Sequence, residues 1–200
     1  MNILELARKK AEAAELYEVY TKALGVVFRG GEVEKVASEE ILGQALRVIR
    51  EGKLGFASTA GGKPEALVEA AVSAAHHGDP APFKFPPLRL ETQVECFDPA
   101  VPKISEEDLL TWGEEAVRAI RAEFPELVVN VYLSRANSEV LIRNTTGGEL
   151  KEERTLIGFT AGVERVREGD IWLLYESQAV RRLEDLNRKA LLEKLSLIHI

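Results

Sequence analysis

The feature that most constrains this chain is the placement of its glycines among strand-like stretches. Alternating apolar segments come in adjacent pairs, each folded back at a glycine turn. Residues 16–20 and 24–29 lead into Gly30-Gly31, and residues 32–36 follow with apolar and charged positions alternating. A second pair consists of residues 45–49, the turn Arg50-Glu51-Gly52-Lys53 and residues 54–58. Glycine supplies the positive φ that a tight hairpin needs, so both pairs read as antiparallel hairpins. Parallel strands would need a long crossover, usually helical, between each strand and the next.

Helical patterns stand at the ends of these groups. Residues 2–14 place Ile3, Leu6, Ala7 and Ala11 on one face, which predicts a first helix. Pro64 suits the first turn of a second, with Leu67, Val68, Ala71, Val72 and Ala75 as its apolar stripe and an end near Gly78. Pro80, Pro82, Pro86 and Pro87 mark an extended connection to about residue 104, with a short strand expected at Gln93–Cys96. Ser105 and Asp108 have the spacing of a capping box, opening a helix to about Phe124 that buries Leu109, Trp112, Ala116, Ile120 and Phe124. Further strands are expected at 127–133, 139–143, 154–166 and 171–177, with a turn at Glu168-Gly169-Asp170. A last helix is expected from about Val180 to Lys194. Strands in groups with flanking helices predict an α+β fold with an antiparallel or mixed sheet. Within it, Phe56 is expected as a core anchor of a central strand, and Gly55 as a point of close approach.

Composition narrows the function classes. The net charge is −7, and acidic and basic residues interleave without a basic block, which disfavours direct nucleic-acid binding. No apolar run approaches the ~18 residues of a membrane span, and the first residues lack a signal-peptide core. Cys96 is the single cysteine, so there is no disulfide framework and no paired-cysteine metal site. The expectation is a cytoplasmic protein.

Each candidate chemical group meets a plainer structural reading. His76-His77 with Asp79 is the one His–carboxylate cluster, but adjacent helical residues point about 100° apart and no third ligand stands at helical spacing. A solvated helix end with histidines near the C-terminal dipole fits better. Cys96 reads as a small apolar side chain. Gly52-Lys53 and Gly61-Gly62-Lys63 lack phosphate-loop spacing and read as turns, as does Asn144-Thr145-Thr146-Gly147-Gly148. Ser58-Thr59 reads as a strand end that could face a ligand. The residues alone show no active site: no catalytic or metal-ligating residue is assigned, and substrate-binding residues are unknown.

Four ordered stretches, residues 14–20, 43–49, 52–59 and 144–147, resemble the N-terminal half of the TldD/PmbA family, once called modulators of DNA gyrase and regarded as metalloproteases. The resemblance covers nearly all of residues 1–194. It implies a zinc motif, HExxxH, in a C-terminal half, where two histidines bind the metal and the glutamate polarises a water. That motif does not occur here, so zinc is expected in the C-terminal half and not in this chain. The resemblance further implies homo- or heterodimers enclosing a cavity for unfolded or small modified peptides. On that basis the chain is expected to shape a peptide chamber and subunit pairing. A non-catalytic PmbA-like partner subunit and a free-standing α+β binding module are the alternatives.

Residues 195–200, Leu-Ser-Leu-Ile-His-Ile, back-translate to the end sequence of a transposase-based sequencing library. The expectation is a TldD/PmbA-like N-terminal domain over 1–194, six adapter-derived residues that lack packing complementary to the core, and a missing catalytic C-terminal domain.

Overall fold

The computed structural model describes residues 2–89, 92, 94–167 and 170–197, and the side chains of all these except 166, 167, 196 and 197. The elements run α1 (Ile3–Ala7), β1 (Ala13–Arg29), β2 (Glu32–Arg50), β3 (Lys53–Thr59), α2 (Pro64–Ala75), α3 (Glu106–Glu123), β4 (Val128–Asn144), β5 (Glu149–Arg167), β6 (Asp170–Val180) and α4 (Arg188–Leu197). Short 3-10 turns lie at Val101–Lys103 and Leu183–Asp185. The strands form one antiparallel sheet in the order β3-β2-β1-β4-β5-β6, and the fold is α+β as expected. The two hairpin turns at Gly30-Gly31 and Glu51-Gly52 all have positive φ, between 52° and 77°, as two-residue hairpin loops demand.

Contacts divide the chain into two compact units. Unit 1 holds Met1–Thr21, Glu40–Glu95 and Ser138–Glu153, and unit 2 holds Lys22–Glu39, Cys96–Asn137 and Arg154–Ile200. Unit 1 carries the helices α1 and α2, and unit 2 carries α3 and α4. The unit 1 core joins Ile3, Leu4, Leu6 and Ala7 to Leu16, Leu46 and Val48 of the strands and to Leu67, Val68, Ala71, Val72 and Ala75. The α2 stripe is the set expected from the sequence. Gly55 on β3 is buried, and a Cβ there would lie 2.0 Å from the Ala71 carbonyl oxygen, so glycine lets α2 sit directly on the strand.

The unit 2 core joins Leu24, Val26 and Phe28 of β1 to Leu109, Val117 and Ile120 of α3, with Val129, Val131, Ile157 and Phe159 from the sheet and Leu191 and Leu195 from α4. A Cβ at Gly113 would lie 2.0 Å from the buried Phe28 ring, so α3 is seated by the same device. The capping box at Ser105 and Asp108 is present, with Asp108 N–H donating to Ser105 Oγ at 3.1 Å. Trp112 is half-buried, with the Arg188 guanidinium 4.4 Å from its ring centroid and bonded to Glu115 at 3.1 Å.

Several expectations are corrected. The first helix ends at Ala7 instead of residue 14, because Ala14 is drawn into the sheet, accepting from Thr145 N–H and donating to Thr145 Oγ1 at 3.0 Å. The segments 16–20 and 24–29 are one strand, as are 32–36 with 45–49 and 127–133 with 139–143. Exposed polar residues such as Ser38, Glu39 and Glu40 break the apolar alternation, yet the strand runs on through them. Val180 ends β6 opposite Ile157, and the last helix starts only at Arg188, where Asn187 Oδ1 accepts from Ala190 N–H at 3.0 Å. No strand forms at 94–96, while Gln93, Glu168 and Gly169 lie outside the described residues. Phe56 is not a core anchor: β3 is a sheet edge and Phe56 is 55% exposed. Past Lys194, Leu195 is only 1% exposed and belongs to the unit 2 core, so the expectation of a tail without packing complementary to the core fails at that residue. Residues 198–200 lie outside the described residues.

Candidate functional site

Unit 1 carries a polar cluster on its middle strands. Leu16 on β1 and Leu46 on β2 are buried in the core, and two residues along each strand, where alternation returns the side chain to the same face, stand Glu18 and Gln44. Gln44 Nε2 donates to Glu18 at 2.7 Å, and Arg143 of β4 forms an ion pair with the same carboxylate. Arg143 Nε is buried without a partner, the single such side-chain atom among the described residues. A buried donor left unpaired costs free energy.

Nearby, the Asn144–Gly148 turn fastens the proline-rich connection. Asn144, 3% exposed, donates to the Pro86 carbonyl at 2.8 Å and accepts from the N–H groups of Thr146 and Gly147, each at 3.0 Å. Thr146 Oγ1 donates to the Phe85 carbonyl at 2.9 Å, and Leu88 N–H donates to the Gly147 carbonyl at 3.0 Å. Phe85 is buried, with the Arg47 guanidinium 5.4 Å from its ring centroid. The turn expected here is real, and its side chains are occupied in holding this strap.

The histidines are not drawn together into a ligand set. His76 is the C-cap of α2 and its carbonyl accepts from Lys53 Nζ at 3.2 Å, while the Asp79 carbonyl accepts from Leu54 N–H at 2.9 Å. The segment is a backbone joint between α2 and β3, and both imidazoles are exposed. Cys96 is half-buried, and its carbonyl accepts from Thr155 N–H at 2.9 Å. Thr59 Oγ1 bonds the Gly61 carbonyl within its own turn, and Ser58 is exposed.

In unit 2 the sheet shows two different faces. Ile157, Phe159, Ala161 and Val163 of β5 enter the core, so Gly158, Thr160 and Gly162 alternate to the other face. The β6 register sets Ser177 opposite Thr160, Tyr175 opposite Gly162 and Leu173 opposite Glu164. Thr160 and Ser177 share a hydroxyl hydrogen bond of 2.7 Å, and a Cβ at Gly158 would lie 3.1 Å from Ser134 Oγ. The Tyr175 ring covers the space a Gly162 side chain would fill, 2.2 Å from that Cβ position. The result is a low floor of glycine and hydroxyl groups, edged by the exposed Ile171, Leu173 and Tyr175. A glycine-bearing strand of this sort lets a ligand or another backbone come close. A separate shallow groove of about 310 Å³ lies between α3 and α4, lined by Ala119, Ile120, Phe124, Leu192 and Leu195 with Glu123, Lys189 and Glu193.

Asp98 is a residue that sequence reasoning passed over. Its carboxylate accepts from Leu183 N–H and Ala100 N–H, each at 2.8 Å. Those bonds, led by Leu183 and followed by Ala100, with the Arg182 charge adding to them, hold its carboxyl below the ordinary aspartate value. Thr155, 1% exposed, donates to the Arg181 carbonyl at 2.8 Å and accepts from Asp98 N–H at 2.9 Å. The Asp98 bond to the residue two places on was a legible signal, because Asp favours such turns. Its bond to Leu183, 85 positions away, left no local trace. Among the described residues no group of three or more His, Cys, Asp or Glu side chains is placed to hold a metal ion.

Residues 14–75 match the family model described as PmbA/TldA metallopeptidase domain 1. No curated protein matches the sequence significantly. Among solved structures, the chain is similar to TldE from Thermococcus kodakarensis, with a TM-score of 0.81 and 14% identity over 98% of this chain and 46% of that one. It is also similar to a candidate modulator of DNA gyrase from Thermotoga maritima, with a TM-score of 0.78 and 18% identity over 97% of this chain and 45% of that one. A third, a candidate modulator of DNA gyrase from Bacteroides thetaiotaomicron, gives 0.79 and 14% over 96% and 46%. At these identities the likeness establishes the fold. The chain spans less than half the length of each of the three.

Proposed function

We propose that this chain, which belongs to the PmbA/TldA metallopeptidase family through its domain 1 stretch at residues 14–75, is the non-catalytic half of a cytoplasmic peptidase assembly that holds peptide for cleavage elsewhere. The domain 1 match carries the reading. It is supported by the floor of unit 2, where Gly158, Thr160 and Ser177 form a surface of low relief beside the exposed Leu173 and Tyr175. A surface of low relief with an apolar border suits extended, unfolded or small modified peptides, because it constrains side chains little. In this reading hydrolysis depends on zinc, which polarises water for attack on a peptide carbonyl. This chain's residues bind and align the substrate, and a second family member, identical or related, completes the compartment. No helix among the described residues is long and apolar enough to cross a membrane.

The test is fluorescence anisotropy of the 200-residue chain with labelled, reduced and carboxymethylated lactalbumin as an unfolded probe. Binding that survives EDTA, without cleavage on a gel, is the expected result, and Ser177→Lys on the floor should weaken it severalfold at an unchanged urea midpoint. Absence of binding would overturn the proposal. Cleavage abolished by EDTA would also overturn it, by placing the catalytic metal within this chain.

A further inference from the structure

We draw no further inference here: the strongest candidate, the exposed apolar ridge of Ile171, Leu173 and Tyr175 on the sheet-edge strand β6, carries nothing because nothing in the structure shows what covers it.

Discussion

Gly55→Ala tests how α2 is seated, because two effects of opposite sign compete at that residue. Gly55 is in a strand and has no positive φ, so alanine fits the backbone there. Restricting the unfolded chain would then stabilise the variant by about 0.4–1 kcal/mol. Against this, the new Cβ would stand 2.0 Å from the Ala71 carbonyl oxygen, 2.7 Å from Ala75 N and 2.8 Å from Ala75 Cβ. The first falls about 1.4 Å short of ordinary contact, which begins at 3.4 Å. Two of the three atoms are helix backbone and cannot swing aside, so α2 must lift from β3 and loosen the packing of Leu67, Val68 and Val72. Overpacking of a fixed core costs about 1–3 kcal/mol, and rigid neighbours put this case at the upper end. The expected net loss is about 2 kcal/mol, a fall of about 1 M in the urea midpoint at a slope of about 2 kcal/mol/M. Gly43→Ala is the control, since its nearest neighbour, the Val19 carbonyl oxygen, would be 3.9 Å away. That variant should be unchanged or slightly more stable. If Gly55→Ala behaves like Gly43→Ala, α2 does not sit on Gly55 and the packing of unit 1 is misread.

Phe56→Ala should cost under about 1 kcal/mol by urea denaturation, as the side chain is 55% exposed; a loss of 3 kcal/mol or more, as for a buried phenylalanine, would contradict its edge position. Leu195→Ala should cost about 2–5 kcal/mol, since Leu195 is 1% exposed within the unit 2 core, and a change within roughly 0.5 kcal/mol would show that it contributes no packing. The acid limb should depend on Asp98 and Asp108, whose carboxyls are held below the ordinary value of 3.8, the first mainly by Leu183 N–H and the second mainly by Ser105 N–H. A depressed folded value means stability that is complete above the unfolded value and is lost as pH falls through the folded one. The urea midpoint should thus hold down to about pH 5 and drop as pH falls through the ordinary value of 3.8 and below it, and Asp98→Asn should show a smaller drop. An identical drop in the variant would remove Asp98 from that account.

Much of the fold was readable along the chain because its causes are local. The α2 stripe, the Ser105 capping box and the two glycine hairpins depend on residues at most a few positions apart, and each stands where expected. The misreadings share a different cause. The alternation of β2 fades from Ala37 to Gly43, where side chains are half-buried or exposed, yet the strand persists through them. The pattern of residues 2–14 suits a helix, but Ala14 gains sheet partners at Thr145, 131 positions away. Glu18 and Arg143 meet across a gap of 125 residues, and neither signals the other locally.

By itself the sequence determined the fold class, the hairpins, the seats at Gly55 and the family stretch, since periodicity and turn chemistry are properties of neighbours. Only the tertiary structure decided that Phe56 lies on an edge, that Leu195 enters a core, and that Gly158, Thr160 and Ser177 share one face. Those facts depend on strand order and on which sheet face the helices cover. Both arise from burial and pairing between distant segments, whose free energy no local pattern records.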